Sequence, residues 1–264
     1  MQHQFKKRFG QNFLRDAQVI ERILQAAELD RGDRVLEIGP GLGALTDHLL
    51  PRADVLHVME IDRDLIDALL ARGAANLIIH AGDALRLEWD KLLTEPPYKL
   101  VANLPYNISS QVLFKILDHS ALFSRLVLMF QQEVGERICA APGGRDYGIL
   151  SVLCQVRFDI RRVVKVAPGA FYPPPKVNSV VLRFDPLPQP RVQIGDEAFF
   201  RRVVKSAFSQ RRKTLANSLK GGGFGDMAHI LHDSLEGIGI DPGRRAETLS
   251  LEEFAALARL LQNH

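Results

Sequence analysis

The chain of 264 residues holds only two cysteines, Cys139 and Cys154. They form no CxxC pair and are too few for a secreted disulfide framework, so a reducing compartment, the cytoplasm, is expected. The eight histidines form neither HExxH nor a Cys/His cluster. His229 and His232 could share a helix face, but two such residues without a carboxylate partner read as surface residues, and no metal is expected. Long apolar runs are also missing. Nothing approaches the roughly 18 uncharged apolar residues of a membrane span. The basic amino terminus is not followed by the roughly 7–15-residue apolar run of a signal peptide. With 46% hydrophobic and 25% charged residues, the composition is globular and excludes disordered, collagen-like and disulfide-scaffold classes. The length suits one large domain, or one with a small appendage.

Acid is absent from two windows. Residues 1–15 carry Lys6, Lys7, Arg8 and Arg15. Residues 199–220 carry Arg201, Arg202, Lys205, Arg211, Arg212, Lys213 and Lys220. The net charge of +3 therefore hides a segregation: elsewhere 23 basic residues stand against 31 acidic ones, a net of −8. Two remote basic segments fit a polyanion such as nucleic acid. Two solvated basic helix faces fit the same charges.

From Arg34 onward, short apolar runs at 35–38, 55–61, 77–80, 100–102 and 126–130 alternate with amphipathic stretches at 44–50, 65–71, 109–117 and 132–140. This pattern predicts a mostly parallel α/β sheet covered on both faces. Upstream, residues 16–27 read as a helix with Asp16 as N-cap and Val19, Ile20, Ile23 and Leu24 as its apolar face. After Tyr147, residues 151–166 are apolar and rich in β-formers, Phe171-Tyr172-Pro173-Pro174-Pro175 interrupts, and 177–184 alternates again. Two strands joined by a Pro-rich loop predict an antiparallel pair at one end of the sheet. A linker at 186–190 then leads to a small all-helical domain, with helices at 197–219, 226–238 and 251–262. The expected domains are 1–185 and 186–264.

The first strand ends in Val35-Leu36-Glu37-Ile38-Gly39-Pro40-Gly41-Leu42-Gly43, and a helix follows. Such glycines let a backbone approach a ligand, although an unoccupied strand–helix turn looks the same. The spacing is not G-x-G-x-x-G, and no Lys-Ser/Thr follows, so no pyrophosphate or P-loop grip is expected. Glu60 ends the second strand, 21 residues after Gly39, where an acid accepts hydrogen bonds from ribose hydroxyls. Asp83, after the third strand, can accept from the exocyclic amine of an adenine. Alone, either carboxylate reads as a solvated loop acid. In strand order, the combination resembles the S-adenosylmethionine-dependent methyltransferases, which implies their Rossmann-like sheet with one antiparallel strand. The cofactor would be S-adenosyl-L-methionine, with Glu37 near its cationic amino-acid end. A sulfonium compound carries no phosphate, in keeping with the missing phosphate grip.

Asn103-Leu104-Pro105-Tyr106 follows the fourth strand. It resembles the Asn/Asp-Pro-Pro-Tyr/Phe element of methyltransferases that act on exocyclic amino groups of bases. The adenine N6 lone pair is delocalised into the ring, so N6 is a weak nucleophile. Two acceptors on its hydrogens, the Asn103 side-chain oxygen and the Leu104 carbonyl, would favour a pyramidal nitrogen without any strong base. Tyr106 would stack on an extruded base; in isolation it reads as a buried tyrosine after a turn. Phe171, stiffened by the prolines that follow, is either an aromatic over the cleft or a core phenylalanine at a strand end.

Seven segments extend the likeness over nearly the whole chain. They are Lys7-Arg8-Phe9-Gly10-Gln11-Asn12-Phe13-Leu14, Glu37-Ile38-Gly39-Pro40-Gly41, Glu60-Ile61-Asp62, Gly82-Asp83-Ala84, Asn103-Leu104-Pro105-Tyr106-Asn107-Ile108-Ser109, Phe171-Tyr172-Pro173-Pro174-Pro175-Lys176-Val177 and Phe208-Ser209-Gln210-Arg211-Arg212-Lys213-Thr214-Leu215. Together they resemble the ribosomal RNA adenine N6-dimethyltransferases, and among them the small-subunit type. The resemblance implies that Asn12, Leu14, Gly39, Gly41, Glu60, Asp83 and Asn103 touch the cofactor. It implies that Asn103, Leu104, Tyr106 and Phe171 serve the chemistry, with Tyr106 and Phe171 around the adenine. Arg201, Arg202, Lys205, Arg211, Arg212 and Lys213 would then meet RNA backbone. The implied reaction puts two methyls on each of two adjacent adenosines in a hairpin loop near the 3′ end of 16S rRNA. The implied partner is the immature small subunit, late in its assembly. A monomer is expected, since no long apolar stripe is left over.

Two departures stand out. Ala216 occupies a position where the family commonly has Arg, and the glycine-rich loop at 221–225 has no assigned role. Large-subunit sister enzymes fit less well, because they more often carry Ile in the tetrapeptide and Ser before Gln. A non-catalytic RNA-binding factor of the same fold is disfavoured by intact Asn103, Glu60 and Asp83.

Overall fold

The computed structural model describes residues 12–227 and 231–262. Lys6, Lys7, Arg8, Gly10, Gln11 and His229 lie outside them. The described residues fall into two compact units, one drawn from Met1–Gly135 and Asp159–Pro186, the other from Glu136–Phe158 and Leu187–His264.

In the first unit, β1 (Phe13–Leu14) and α1 (Ala17–Ala27) precede β2 (Arg34–Ile38), α2 (Thr46–Leu49), β3 (Val55–Glu60), α3 (Arg63–Leu70) and β4 (Leu77–Ala81). Then come α4 (Trp89–Leu92), β5 (Tyr98–Asn103), α5 (Ser109–Asp118) and β6 (Phe123–Gln131). α6 (Gln132–Ile138) and α7 (Ile149–Arg157) carry the chain into the second unit. β7 (Phe158–Val166), β8 (Phe171–Tyr172) and β9 (Ser179–Pro186) return it to the first.

The main sheet has the order β4-β3-β2-β5-β6-β9-β7. β2 to β6 pair in parallel, and β9 is antiparallel to β6. This is the mostly parallel sheet with an antiparallel strand that the sequence predicts, except that β9 lies inside the sheet, between β6 and β7. Neighbouring side chains on a strand point to opposite faces, and both Val35 and Leu36 are 0% exposed. The sheet is therefore covered on both sides, which is why its strands read as unbroken apolar runs. β3 and β4 succeed β2 on one side, while β5 and β6 lie on the other. The carboxyl ends of β2 and β5 thus flank a topological switch point, where open α/β sheets bind ligands.

α1 covers one face. Asp16 caps it as expected, its carboxylate accepting from the N–H of Gln18 (2.9 Å) and of Val19 (3.1 Å). Val19, Ile20, Ile23 and Leu24 are buried, over β5, β6 and β9. Beyond the helix, Glu28 takes a left-handed conformation with φ 46°. Its carboxylate accepts from Arg125 on β6 and Arg183 on β9, each at 2.5 Å. β1 pairs antiparallel with β8 in a separate two-stranded ribbon, Phe13 opposite Tyr172 and Leu14 opposite Phe171.

Two expectations are corrected in the second unit. Residues 151–157, the first part of the expected strand 151–166, belong instead to α7. Val152, Leu153, Cys154 and Val156 are all buried there, and a helix buried on most sides carries the same apolar run as a buried strand. The single helix expected at 197–219 is two, α8 (Glu197–Ala207) and α9 (Leu215–Gly221). They part around Arg211-Arg212-Lys213, and the Thr214 hydroxyl caps α9 by accepting from the Asn217 N–H at 3.4 Å. α10 (Leu231–Gly237) and α11 (Leu251–Gln262) follow.

The boundary after Pro186 lies one residue from the expected one, but residues 136–158, expected in the first domain, join the second unit. Side-chain contacts give the reason. Tyr147 meets Phe208 edge-on at 6.2 Å, Phe208 stacks on Phe254 at 5.7 Å, and Arg157 of α7 pairs with Glu197 of α8. No helix among the described residues is long and apolar enough to cross a membrane.

Glu197 also pairs with Arg201 at 2.8 Å. Burial alone would raise its pKa, but the hydrogen bonds and charges of Arg157 and Arg201 outweigh it and hold the carboxyl below its ordinary value. The stabilisation this gives is present above the ordinary carboxylate pKa and lost as pH falls through the lowered one. Glu197→Gln is expected to cost about 1 kcal/mol at neutral pH, and the deficit should close in acid. Denaturant titrations of both proteins at falling pH test this; a gap that stays constant would refute the assignment.

Candidate active site

One cleft of about 250 Å³ lies at the carboxyl ends of β2, β3, β4 and β5. After β2 the chain turns through Gly39-Pro40-Gly41, and the Gly39 N–H donates to Met59 O at 2.9 Å. Gly41 has φ +60°, and a Cβ there would stand 2.8 Å from the Phe13 ring. Only glycine lets β1 lie against this turn. Asn12, Leu14, Gly39, Gly41, Glu60, Asp83 and Asn103, the residues expected on the cofactor, all line the cleft, as do Leu104 and Tyr106.

Three carboxylates line it, each held differently. Glu37 is 1% exposed, and the Thr46 hydroxyl donates to its Oε2 at 2.7 Å. Burial pushes its pKa up to about 8, so it keeps a proton in neutral solution. Glu60 closes on its own turn: Oε1 accepts from the N–H groups of Ile61 and Asp62 (2.8 Å each) and Oε2 from that of Gly41 (3.4 Å). Burial raises its pKa against the pull of these three donors. Asp83 is half-buried, and its Oδ1 accepts from the Leu85 N–H at 2.9 Å. Lys115 of α5 donates to the carbonyls of Leu85 (3.0 Å) and Leu87 (2.5 Å). The Asp83 loop is thereby fastened to the helix that follows the Asn103–Tyr106 turn.

Asn103 is the last residue of β5. Its Nδ2 donates to the Asn12 carbonyl at 3.1 Å, which leaves the amide oxygen as the side chain's acceptor. Leu104 is buried. Tyr106 is half-buried, and its hydroxyl shares a 2.5 Å hydrogen bond with Ser179 at the start of β9. Burial raises the Tyr106 pKa, so the phenol is neutral and offers no base.

Phe171 departs from the cleft reading. It is 4% exposed and sits in the apolar core with Leu14 and Ile23, outside the cleft wall. Of the two readings open for it, burial matches the core phenylalanine, packed behind Leu14. Ser179, Thr46 and Lys115 carry no motif of their own. For Ser179 a signal exists: it is a hydroxyl at the head of the apolar run Val180-Val181-Leu182.

The expected RNA contacts lie in the second unit. Arg201 is committed to Glu197. Arg202 lies 4.7 Å over the Phe224 ring and donates to the Gly223 carbonyl at 2.9 Å. Arg211 donates to the Arg145 carbonyl at 2.6 Å. Lys205 is exposed. Arg212 and Lys213 are exposed, and no side-chain partner engages either among the described residues. The glycine-rich loop thus has a structural role: Phe224 takes Arg202, and at Gly222 a Cβ would stand 2.7 Å from Ser206 of α8.

Among the described residues, no Lys, Arg or His lines the cleft beside Glu37, Glu60 and Asp83. That donor set repels a phosphate and suits a cationic, phosphate-free cofactor with hydroxyls and an amine to offer. S-adenosyl-L-methionine fits it; Glu37, Glu60 and Asp83 and the backbone around Gly39 and Gly41 would hold it.

Comparison with known proteins decides the family. Residues 2–263 match the model of the ribosomal RNA adenine dimethylases. The chain belongs to this family. It is an S-adenosylmethionine-dependent methyltransferase of ribosomal RNA adenine. Ribosomal RNA small subunit methyltransferase A of Syntrophotalea carbinolica is 69% identical over 264 residues, covering 100% of this chain and 99% of its own. The protein of the same name from Geobacter sulfurreducens is 52% identical over 259 residues, covering 96% and 94%. A dimethyladenosine transferase from Plasmodium falciparum superposes with TM-score 0.77 at 29% identity, over 95% of this chain and 96% of its own. The 23S rRNA methyltransferase ErmE gives 0.67 at 27%, over 95% and 100%.

The raised Glu37 pKa makes this adenine dimethylase sensitive to alkali when no cofactor is bound. Folding holds a proton there that the unfolded chain releases near 4.5, so the stabilisation is full below that value and is lost as pH rises through about 8. Glu37→Gln should therefore flatten the decline of melting temperature between about pH 5 and about pH 9. Parallel slopes for the two proteins would show that Glu37 is ionised in the free enzyme.

Proposed function

We propose that this adenine dimethylase converts two adjacent adenosines, in a hairpin loop near the 3′ end of 16S rRNA, to N6,N6-dimethyladenosines. Its substrate in this reading is the immature small subunit, late in assembly, and it acts as a monomer in the cytoplasm. The observation that carries the reading is the meeting of Asn103, Leu104 and Tyr106 with Glu60 and Asp83 in one cleft. Supporting the choice of small subunit, the relative 69% identical over the full chain is named for that subunit. The 23S rRNA enzyme shares the fold at 27% identity.

The bound cofactor supplies an electrophilic methyl group on a sulfonium sulfur. The protein's part is to make adenine N6 a competent nucleophile. The Asn103 amide oxygen and the Leu104 carbonyl accept the two N6 hydrogens and draw the nitrogen out of conjugation with the ring. Asn12 fixes the Asn103 amide, because Nδ2 is already engaged and cannot turn toward the base. Tyr106 stacks on the base, and Ser179 fixes the plane of its ring. Phe171 supports this wall from behind Leu14. The proton lost from N6 passes to water, since the neutral Tyr106 phenol offers no base. Positioning and electrostatics carry the step. Arg212 and Lys213, with Lys205, contribute contacts to RNA phosphates; Arg201, Arg202 and Arg211 shape the surface that presents them.

Asn103→Ala should abolish methyl transfer to immature small subunits and leave cofactor affinity within about tenfold, because most cofactor contacts lie elsewhere. Near-normal turnover would remove Asn103 from the mechanism. Replacing Arg212 and Lys213 together by Ala should weaken subunit binding and flatten its salt dependence by under about one unit per lost phosphate contact. An unchanged slope in filter binding would make the pair a solvated turn.

A further inference from the structure

The ribbon of β1 and β8 carries a second surface that turns away from the core. Side chains alternate along a strand. Leu14 and Phe171 point inward and are buried, whereas Tyr172 is 46% exposed and Arg15 is exposed beside it. The Arg15 guanidinium lies 4.2 Å from the centroid of the Tyr172 ring, a cation–π stack. The Arg15 N–H donates to the Ala170 carbonyl at 2.8 Å, which fixes the two backbones beneath the pair. The loop that follows β8 adds Lys176 and Val177, both exposed. No acid occurs from Ala170 to Asn178. The nearest carboxylate along the chain, Asp16, is spent on the cap of α1.

The position of this strip gives it meaning. Tyr172 stands opposite Phe13 across the ribbon, about 5 Å away between Cα atoms, and Phe13 lines the cleft. The same loop ends at Ser179, which holds Tyr106. A cationic and apolar strip therefore begins beside one cleft wall, and the chain that carries it runs on to Ser179, the hydrogen-bond partner of Tyr106.

The geometry points to a second nucleotide subsite, in which Arg15 and Tyr172 stack the base next to the target adenosine and Lys176 meets the intervening phosphate. The inference rests on the reading of the chain as an rRNA methyltransferase that takes an extruded adenine. Its occupant is single-stranded RNA. A stacked Arg–Tyr pair accepts the face of any base, and only unpaired nucleotides offer a free face. An acidic peptide would use Arg15 and Lys176 but gain little from the ring.

Tyr172→Ala, Tyr172→Trp and Arg15→Gln test it. Each is titrated with a short fluorescent single-stranded RNA, and each is assayed for methylation of immature small subunits at varied subunit and cofactor concentrations. Tyr172→Ala should weaken RNA binding about tenfold and raise the KM for subunits by a similar factor, with the KM for S-adenosylmethionine unchanged. Tyr172→Trp should restore both, and Arg15→Gln should also weaken binding and flatten its salt dependence.

If the wild-type enzyme methylates small subunits while Tyr172→Ala stays within about twofold of it in both titrations, the subsite is wrong and the function stands. If the wild type leaves small subunits unmethylated, the functional reading fails and the RNA titration alone decides the subsite. Loss of binding in Arg15→Gln but not in Tyr172→Ala indicates an acidic ligand and overturns the proposal. A raised KM for the cofactor in Tyr172→Ala makes the residue a builder of the cleft and also overturns it.

Discussion

Parallel hydrogen bonding of β2 to β3 on one side and to β5 on the other is the constraint on which the site depends. Ile38 pairs with Met59, Glu60 with Ala81, and Glu37 with both Val58 and Val101. The strand ends are therefore level, and the turns beyond them open at one edge. A slip of one residue would send every side chain of a strand to the opposite face. No side chain has to bring Glu37, Glu60, Asp83 and Asn103 together; the backbone ladder does so. Side chains then refine what the ladder assembles, as Lys115 does for the Asp83 loop and Ser179 for Tyr106.

Grouping three carboxylates in a partly dry cleft is costly, and the cation paired with one of them, Arg86 at 3.8 Å from Asp83, stands outside the cleft wall. The cost is spread by unlike means. Glu37 keeps its proton and takes a hydroxyl donor. Glu60 satisfies backbone N–H groups that the turn would otherwise leave unmet. Asp83 stays partly in water. Exposed cations occur elsewhere, at Arg15, Lys176, Arg212 and Lys213. In the proposed reading, the cleft takes a small cation while a polyanion meets the outer surface, and neither ligand competes for the other's groups.

Much of this was legible in the residues. Unbroken apolar strands, the Asp16 cap and the carboxylate at each strand end specify a doubly covered parallel sheet and where its ligand sits, because each depends on local pattern and strand order. Where tertiary context decides, the pattern is ambiguous. Residues 149–157 are apolar on nearly every side, so periodicity alone does not separate helix from strand. Phe171 could be read as core or as cleft wall, and only its burial in the folded chain favours the first. The commitments of Arg201, Arg202 and Arg211 to nearby partners are equally invisible in a run of basic residues, since charge does not reveal which guanidinium groups are already engaged.

The ribbon of β1 and β8 has one more consequence. Phe13 and Leu14 are paired with Tyr172 and Phe171, and Asn12 is tied to Asn103 across 91 positions. Contacts of such long range must wait for their distal partner to exist. During synthesis, Phe13 and Leu14 can complete their pairing beside the cleft only after the ribosome has released Phe171 and Tyr172. The cleft is therefore finished late in translation, although the strands that define it are made early.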